Sequence, residues 1–336
     1  MKHEAMFYKT LEDGAVRCHL CSHHCKIENG ETGFCKVREN ENGVLITHAY
    51  GETIARNVDP IEKKPLYHFL PGSLSYSIAT AGCNFRCAFC QNWQISQITS
   101  EQSRVGDGRP FPPEEVVAAA ERQGCASIAY TYTEPTIFFE YARDTALLAR
   151  EKGIKNVFVT NGYMTRRALD DAANWLDAAN VDLKAWSDDY YQEVCRGRLK
   201  PVLDTIGYMK RLGIWVEVTT LVIPGDNDAD EDLQGIAGFI ADVGTDIPWH
   251  ISRFHPDYRF GDHESTPIET LEKAERIGRE AGLKYVYMGN VARERDTQCP
   301  ECGKPVVQRS MMGVRAVNLQ NGKCSHCGAI VDGVWR

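Results

Sequence analysis

Between residues 71 and 290, strand-like and helix-like stretches alternate without interruption. Strands are predicted at 75–80, 126–132, 156–160, 180–184, 215–223, 249–254 and 284–288. Helices are predicted at 113–123, 136–152, 166–175, 202–212, 229–243 and 268–281. Pro113 opens a helix in which Val116, Val117 and Ala120 recur at helical spacing. Asn161-Gly162 ends a strand, and Pro224-Gly225 makes a turn. Leu233, Ile236, Phe239 and Ile240 form a single apolar stripe. Such repetition demands a parallel sheet with crossover helices, either doubly wound or curled into a full or partial barrel. In each case chemistry collects at the C-terminal ends of the strands.

The chain has 336 residues, a net charge of −8 and 13 cysteines. Eleven of these thiols fall into three tight clusters: Cys18/21/25/35, Cys83/87/90 and Cys299/302/324/327. Disulfide frameworks spread cysteines through a small secreted chain, whereas metal sites bunch them. Met1-Lys2-His3-Glu4-Ala5 lacks the apolar stretch of an export signal. No apolar run approaches the roughly 20 residues of a membrane span. The expectation is a cytoplasmic protein with three metal sites and no membrane contact. The net acidity argues against broad nucleic-acid binding. Three zones emerge: a Cys-rich N-terminal module at 1–70, the α/β body at 71–290, and a Cys-rich C-terminal module at 291–336.

Cys83, Cys87 and Cys90 are spaced C-x3-C-x2-C on the loop after the first predicted strand of the body. Three thiols so placed close around three corners of a cubane [4Fe–4S] cluster and leave the fourth iron free to bind a small molecule. The competing reading is a zinc site with a distant fourth ligand.

This loop, with Phe89 just before the third cysteine and βα units behind it, resembles the radical S-adenosylmethionine (SAM) superfamily. A closer similarity covers nearly the whole chain. Asp59-Pro60-Ile61-Glu62-Lys63-Lys64-Pro65-Leu66-Tyr67-His68-Phe69, Cys90-Gln91-Asn92-Trp93, Tyr130-Thr131-Tyr132-Thr133-Glu134-Pro135-Thr136 and Gly333-Val334-Trp335 resemble the AmmeMemoRadiSam branch, itself similar to pyruvate formate-lyase activating enzymes. The resemblance implies a partial (βα)6-type barrel whose cluster reductively cleaves SAM to a 5′-deoxyadenosyl radical that abstracts hydrogen from a substrate. It implies an electron donor such as flavodoxin or ferredoxin, and association with Memo-like and AMMECR-like proteins. By position it assigns the cluster to Cys83, Cys87 and Cys90. It assigns SAM contacts to Phe89, Thr133, Glu134, Asn161, Asp182, Lys184 and His255. Two activase positions differ: Val159 stands where an acid is usual, and Thr219 where an arginine is usual. Tyr132-Thr133-Glu134 replaces a Gly-Gly-Glu segment, keeping the acid without the glycines.

Cys299-x2-Cys302 and Cys324-x2-Cys327, each pair followed by glycine, form a four-cysteine knuckle pattern. Zinc is expected there, with rubredoxin-like iron as the rival. Cys18-x2-Cys21-x3-Cys25-x9-Cys35 is less regular and suits either zinc or an auxiliary [4Fe–4S] cluster. Tyr67 and His68 are expected to line the barrel mouth, and Cys125 and Cys195 to be ordinary thiols. Two other functions fit the same residues: a glycyl-radical-enzyme activase, and a non-enzymatic zinc-ribbon adaptor for nucleic acid or protein.

Overall fold

The computed structural model describes residues 2–97, 108–293, 295–310 and 313–335. At its centre lies one eight-stranded sheet, whose strands are β1 (Ala55–Pro60), β2 (Leu74–Ala79), β3 (Ser127–Tyr130), β4 (Lys155–Thr160), β5 (Ala178–Asp182), β6 (Trp215–Val222), β7 (Trp249–Arg253) and β8 (Val286–Gly289). They lie side by side in chain order. β2 to β8 run parallel, and β1 pairs antiparallel with β2.

Order without reversal decides between the two architectures. Successive right-handed crossovers that never change direction put every helix on one face. A doubly wound sheet needs a switch point, and this sheet has none. It is the singly wound arrangement expected of a partial barrel, and among the described residues β1 and β8 do not pair with each other.

The crossover helices are α1 (Pro113–Arg122), α2 (Phe139–Glu151), α3 (Arg166–Ala172), α4 (Leu199–Arg211), α5 (Asp230–Val243) and α6 (Ile268–Glu280). α4 buries Val202, Ile206 and Met209, and α5 buries Leu233, Ile236 and Ile240. Each such side chain contributes about 2 kcal/mol of transfer free energy. Pro113 sits in the first turn of α1, where its missing N–H costs nothing. Among the described residues no helix is long and apolar enough to cross a membrane.

Two departures from the sequence expectation bear on the site. The strand expected at 180–184 starts at Ala178 and ends at Asp182, so Lys184 lies beyond it. β1 was not foreseen. Its Ala-Arg-Asn-Val-Asp-Pro composition shows no alternation, because it is an edge strand held mainly by its ladder to β2.

The inner face of the sheet is polar where a short segment crosses it. Glu217 is fully buried on β6. Its carboxylate accepts from the N–H groups of Tyr67 (2.9 Å) and His68 (2.8 Å), Trp215 Nε1 (3.0 Å) and His250 Nε2 (2.7 Å). Asn180 Nδ2 donates to the Pro65 carbonyl (2.8 Å). Residues 65–69 therefore plug the end of the sheet opposite the cysteine loop, and the C-terminal module packs over the plug. This corrects the expectation for Tyr67 and His68: both are buried at the floor, away from the mouth. Their backbone donors supply two of the four hydrogen bonds that the buried Glu217 carboxylate needs, which holds them there.

The His68 tautomer follows from its partners. Nδ1 lies 2.7 Å from the Asp332 carbonyl, which only accepts, so Nδ1 carries the proton. Nε2 then accepts from Tyr287 Oη (2.6 Å), which in turn accepts from Thr297 Oγ1 (2.8 Å). Thr297 Oγ1 takes its own bond from Arg309 Nη1 (2.8 Å). Burial pushes the His68 imidazole down to about 4. The folded protein thus refuses a proton that the unfolded chain takes near 6.5, and stability is lost as pH falls from about 6.5 towards 4. Wild type should lose up to about 3 kcal/mol across that window beyond what His68→Gln loses, read as the difference between their melting temperatures from pH 7 to 4.5.

Candidate functional site

The loop after β2 carries Cys83, Cys87 and Cys90 to the C-terminal edge of the sheet, as expected from the sequence. Cys83 and Cys87 are buried, and Cys90 is partly exposed. Burial raises the Cys83 and Cys90 thiols above their usual range; for Cys87 the larger cause is a hydrogen bond with Cys195. A cation is needed to hold three such groups as thiolates.

The sulfur spacing says what kind of cation. A tetrahedral mononuclear site with metal–sulfur bonds of about 2.3 Å sets its sulfurs about 3.8 Å apart. Among the described residues, no three of these cysteines have sulfurs mutually within 4.8 Å. These three sulfurs are thus not drawn together in the way one tetrahedral ion requires. Asn84 Nδ2, fully buried between these thiols in sequence, has no protein hydrogen-bond partner. Such an orphan donor beside the thiols suits a sulfur-rich anion. The Phe85 N–H already points to Cys83 Sγ (3.3 Å), and Ser96 Oγ lies 3.1 Å from Cys90 Sγ.

A cavity of about 330 Å³ opens over the loop. It is lined by Phe89, Thr133, Glu134, Asn161, Asp182 and Lys184, six of the seven residues assigned to SAM. His255 is not among the lining residues; it stands exposed with its Nδ1 3.4 Å from Ser265 Oγ. Val159 and Thr219, the two positions that differ from activases, also face the cavity.

Lys184 Nζ pairs with Asp182 Oδ2 at 2.9 Å and lies 5.5 Å from the Phe89 ring centre. Burial opposes its charge, but Asp182 and the Cys87 and Cys195 thiols more than offset this and raise its pKa. Lys184 is thus a fixed cation beside the cysteine loop.

Glu134 has a different setting. Its carboxylate is buried and accepts from Thr136 N (3.0 Å), Thr136 Oγ1 (2.5 Å), Thr160 Oγ1 (2.7 Å) and Asn161 N (2.8 Å). With four donors inside the protein, this side chain braces the ends of β3 and β4. Asn161 Nδ2 then donates to Asn84 Oδ1 (2.8 Å) and ties β4 to the cysteine loop. Gly162 permits this turn: its φ is +71°, and a Cβ there would lie 2.8 Å from Val181.

The missing glycines before Glu134 have a structural answer. The left-handed conformation falls on Tyr132 (φ +64°), while Thr133 turns its hydroxyl to the Thr80 carbonyl (2.9 Å). Strain of this kind costs on the order of 1–3 kcal/mol and needs anchors. Tyr132 Oη donates to Asp59 Oδ2 (2.6 Å), which also accepts from Lys64 Nζ (2.8 Å) and Ser77 Oγ (3.0 Å). Burial works against the Asp59 charge, yet these partners hold its carboxyl at about 2. The Asp59 to Lys64 stretch therefore reaches the cavity through Tyr132 and Lys64, a role that no spacing rule reveals.

Cys195 is another residue whose place was not legible. It is fully buried, and its carbonyl accepts from the Arg86 N–H (2.8 Å), while Val194 accepts from the Ala88 N–H (3.1 Å). Phe85 packs against Gly197, where a Cβ would come within 2.3 Å of the ring. The Val194–Gly197 segment thus clamps the cysteine loop from behind.

The C-terminal four-cysteine group is narrow. Cys299 and Cys327 sulfurs are 3.6 Å apart, Cys302 and Cys324 are 3.8 Å apart, and all four lie within 4.8 Å of one another. These are the spacings of a site for one metal ion. Cys18, Cys21, Cys25 and Cys35 gather in the N-terminal module, and they are not so closely drawn together.

Comparisons with known proteins agree with this geometry. Residues 77–236 match the model of the Radical SAM superfamily. An uncharacterised protein of Methanocaldococcus jannaschii is 48% identical over 98% of both chains. Pyruvate formate-lyase 1-activating enzyme of Escherichia coli is 22% identical over 61% of this chain and 89% of its own. Among solved structures, a radical SAM methyltransferase from Sphaerobacter thermophilus superposes with a TM-score of 0.52 at 18% identity, over 66% of this chain and 67% of that one. It shares the fold. With three thiols at the C-terminal edge of a singly wound parallel sheet, and the family model matching from β2 through β6 of that sheet, residues 77–236 of this chain carry a Radical SAM domain.

Proposed function

We propose that this protein is an enzyme that binds SAM at the cavity above Cys83, Cys87 and Cys90 and acts on a substrate through hydrogen-atom abstraction. One observation carries the reading: a single cavity is lined both by the three thiols of the C-x3-C-x2-C loop and by a fixed cation–carboxylate pair. When bound, the cluster supplies one electron to the sulfonium of SAM, releasing methionine and a 5′-deoxyadenosyl radical that takes hydrogen from the substrate. The chain's own residues do the positioning. Lys184 meets the methionine carboxylate, Asp182 keeps Lys184 in place, and Phe89 offers its ring to the adenine. Thr133 and Asn161 border the methionine end. The Glu134 carboxylate acts through the backbone it braces. His255 would reach the ribose only if its exposed loop folds over the cavity.

Similarity to activases supports a narrower reading, in which the substrate is a glycine of a partner enzyme. The cavity wall weighs against it, because apolar Val159 and neutral Thr219 remove an acid and an arginine that activases place there. Residues 59–69 and 130–136 favour instead the AmmeMemoRadiSam branch, with Memo-like and AMMECR-like proteins as partners and flavodoxin or ferredoxin as donor. For the C-terminal module the 3.6 and 3.8 Å sulfur pairs fit one tetrahedral metal ion, for which zinc in a stapling role is the reading and rubredoxin-like iron the rival.

Anaerobically reconstituted protein, reduced with dithionite and given SAM, should release 5′-deoxyadenosine measured by chromatography. Cys87→Ala should release none, and a wild-type protein equally silent would end this reading. Lys184→Met should weaken SAM binding about tenfold by calorimetry, corresponding to about 1.4 kcal/mol, with iron content unchanged. Lys184→Arg should recover part of that loss. Elemental analysis should find one zinc per chain that is lost in Cys302→Ala, together with a lower melting temperature.

A further inference from the structure

The geometry points to a second, fully ligated [4Fe–4S] cluster held by Cys18, Cys21, Cys25 and Cys35, placed to pass electrons to the cluster at Cys83, Cys87 and Cys90. Two kinds of four-cysteine site are present in one molecule, and they differ in width. The C-terminal sulfurs all lie within 4.8 Å of one another. Among the described residues, no three of the N-terminal sulfurs do, even when His19, His23 and His24 are counted as alternative ligands. In this they match the barrel loop, not the ribbon. A single zinc ion needs sulfurs about 3.8 Å apart, whereas four cysteines spread around a cubane stand wider.

The surroundings suit a buried anionic group. Cys18 and Cys35 are buried, and Cys21 and Cys25 are partly so. Arg38, only 2% exposed, donates from Nη1 to the Met6 carbonyl (3.1 Å) and brings the same atom to 3.9 Å from Cys18 Sγ. Its Nη2 is paired with Glu140, and its Nε is buried without a partner. A buried guanidinium directed at a sulfur favours a metal-bound thiolate over a neutral thiol.

The module sits against the barrel loop. His23, between Cys21 and Cys25, donates from Nε2 to the Asn84 carbonyl (2.7 Å). Arg86, between Cys83 and Cys87, donates to the carbonyl of Phe34, the neighbour of Cys35, and its guanidinium covers the Phe34 ring at 4.6 Å. Ring contacts then run without a gap from one cysteine set to the other. Phe34 and His23 centroids are 4.4 Å apart, His23 and Tyr163 are 4.9 Å apart, and Tyr163 and Phe85 are 5.0 Å apart. Phe85 lies between Cys83 and Cys87 in sequence. The electron balance is simple. A low-potential one-electron carrier protein of the ferredoxin or flavodoxin class is oxidised by one electron. The N-terminal cluster goes from the 2+ to the 1+ state, then returns to 2+ as the barrel cluster is reduced. No bond breaks and no proton moves.

The relay role rests on the reading under Proposed function, but the existence of the second cluster does not, and the tests separate them. Full-length Cys83→Ala/Cys87→Ala/Cys90→Ala protein, reconstituted anaerobically with iron and sulfide, should keep about four irons and about four sulfides per chain, with a [4Fe–4S] Mössbauer doublet. Wild type should hold about eight of each. An iron-free triple variant carrying two zinc ions would overturn the second cluster. Should that variant not fold, wild-type protein with only about four irons per chain overturns it equally. For the relay, Cys18→Ser/Cys21→Ser/Cys25→Ser/Cys35→Ser protein that retains the barrel cluster should form 5′-deoxyadenosine at a near-normal rate with dithionite. With reduced flavodoxin it should be about tenfold slower. Equal rates with both reductants would overturn the relay while leaving SAM cleavage intact.

Discussion

The carboxylate of Glu134 holds the functional edge together. A buried carboxylate is stable only when hydrogen bonds replace its lost hydration. Here four donors do so, and they come from the turn after β3 and from the end of β4. Asn161, one of those donors, reaches Asn84 on the cysteine loop, and the Asn84 carbonyl in turn takes the His23 bond from the N-terminal module. Four segments distant in sequence are thereby fixed by one desolvated charge. Burial raises the Glu134 pKa, so its proton affinity rises while its neighbours keep its oxygens occupied. That is the behaviour of a brace, and it leaves Lys184 and Asp182 as the charged pair facing the ligand cavity.

The opposite end of the sheet repeats the same device with Glu217. Two of its four donors are backbone N–H groups of the 65–69 plug, which they lock beneath the strands, and the other two come from Trp215 and His250 on the sheet; His68 carries the connection onward to Tyr287, Thr297 and Arg309 under the C-terminal module. A parallel sheet whose strands follow chain order exposes both ends of its inner face. One end is closed by the plug and the C-terminal module, and the other stays open over the cysteines. The two outer cysteine-rich modules are therefore not equivalent in position. The C-terminal module caps the floor, and the N-terminal module adjoins the loop of Cys83, Cys87 and Cys90.

Much of the architecture was legible because its signals are local. Pro113, the apolar stripe of α5, and the turn at Asn161-Gly162 each act within a few residues, and each element is where those signals place it. β1 escaped because an edge strand owes its conformation to its partner. Tyr67 and His68 were misplaced because their position depends on Glu217, 149 residues or more away from them. The glycine-free Tyr132-Thr133-Glu134 segment looked unsuited to a close backbone approach. Tyr132 takes the positive φ itself and is held by Asp59, 73 residues earlier.

The sequence by itself determined the repeating α/β body, the three cysteine groups and the loop on which Cys83, Cys87 and Cys90 sit, because spacing along the chain constrains what neighbouring residues can reach. Only the tertiary structure decided how far apart the sulfurs of each group stand, which end of the sheet each module covers, and whether a charged side chain faces the cavity or is spent inside the wall. Those properties arise from buried groups finding hydrogen-bond partners across long stretches of chain, and such pairings leave no periodic trace in the sequence.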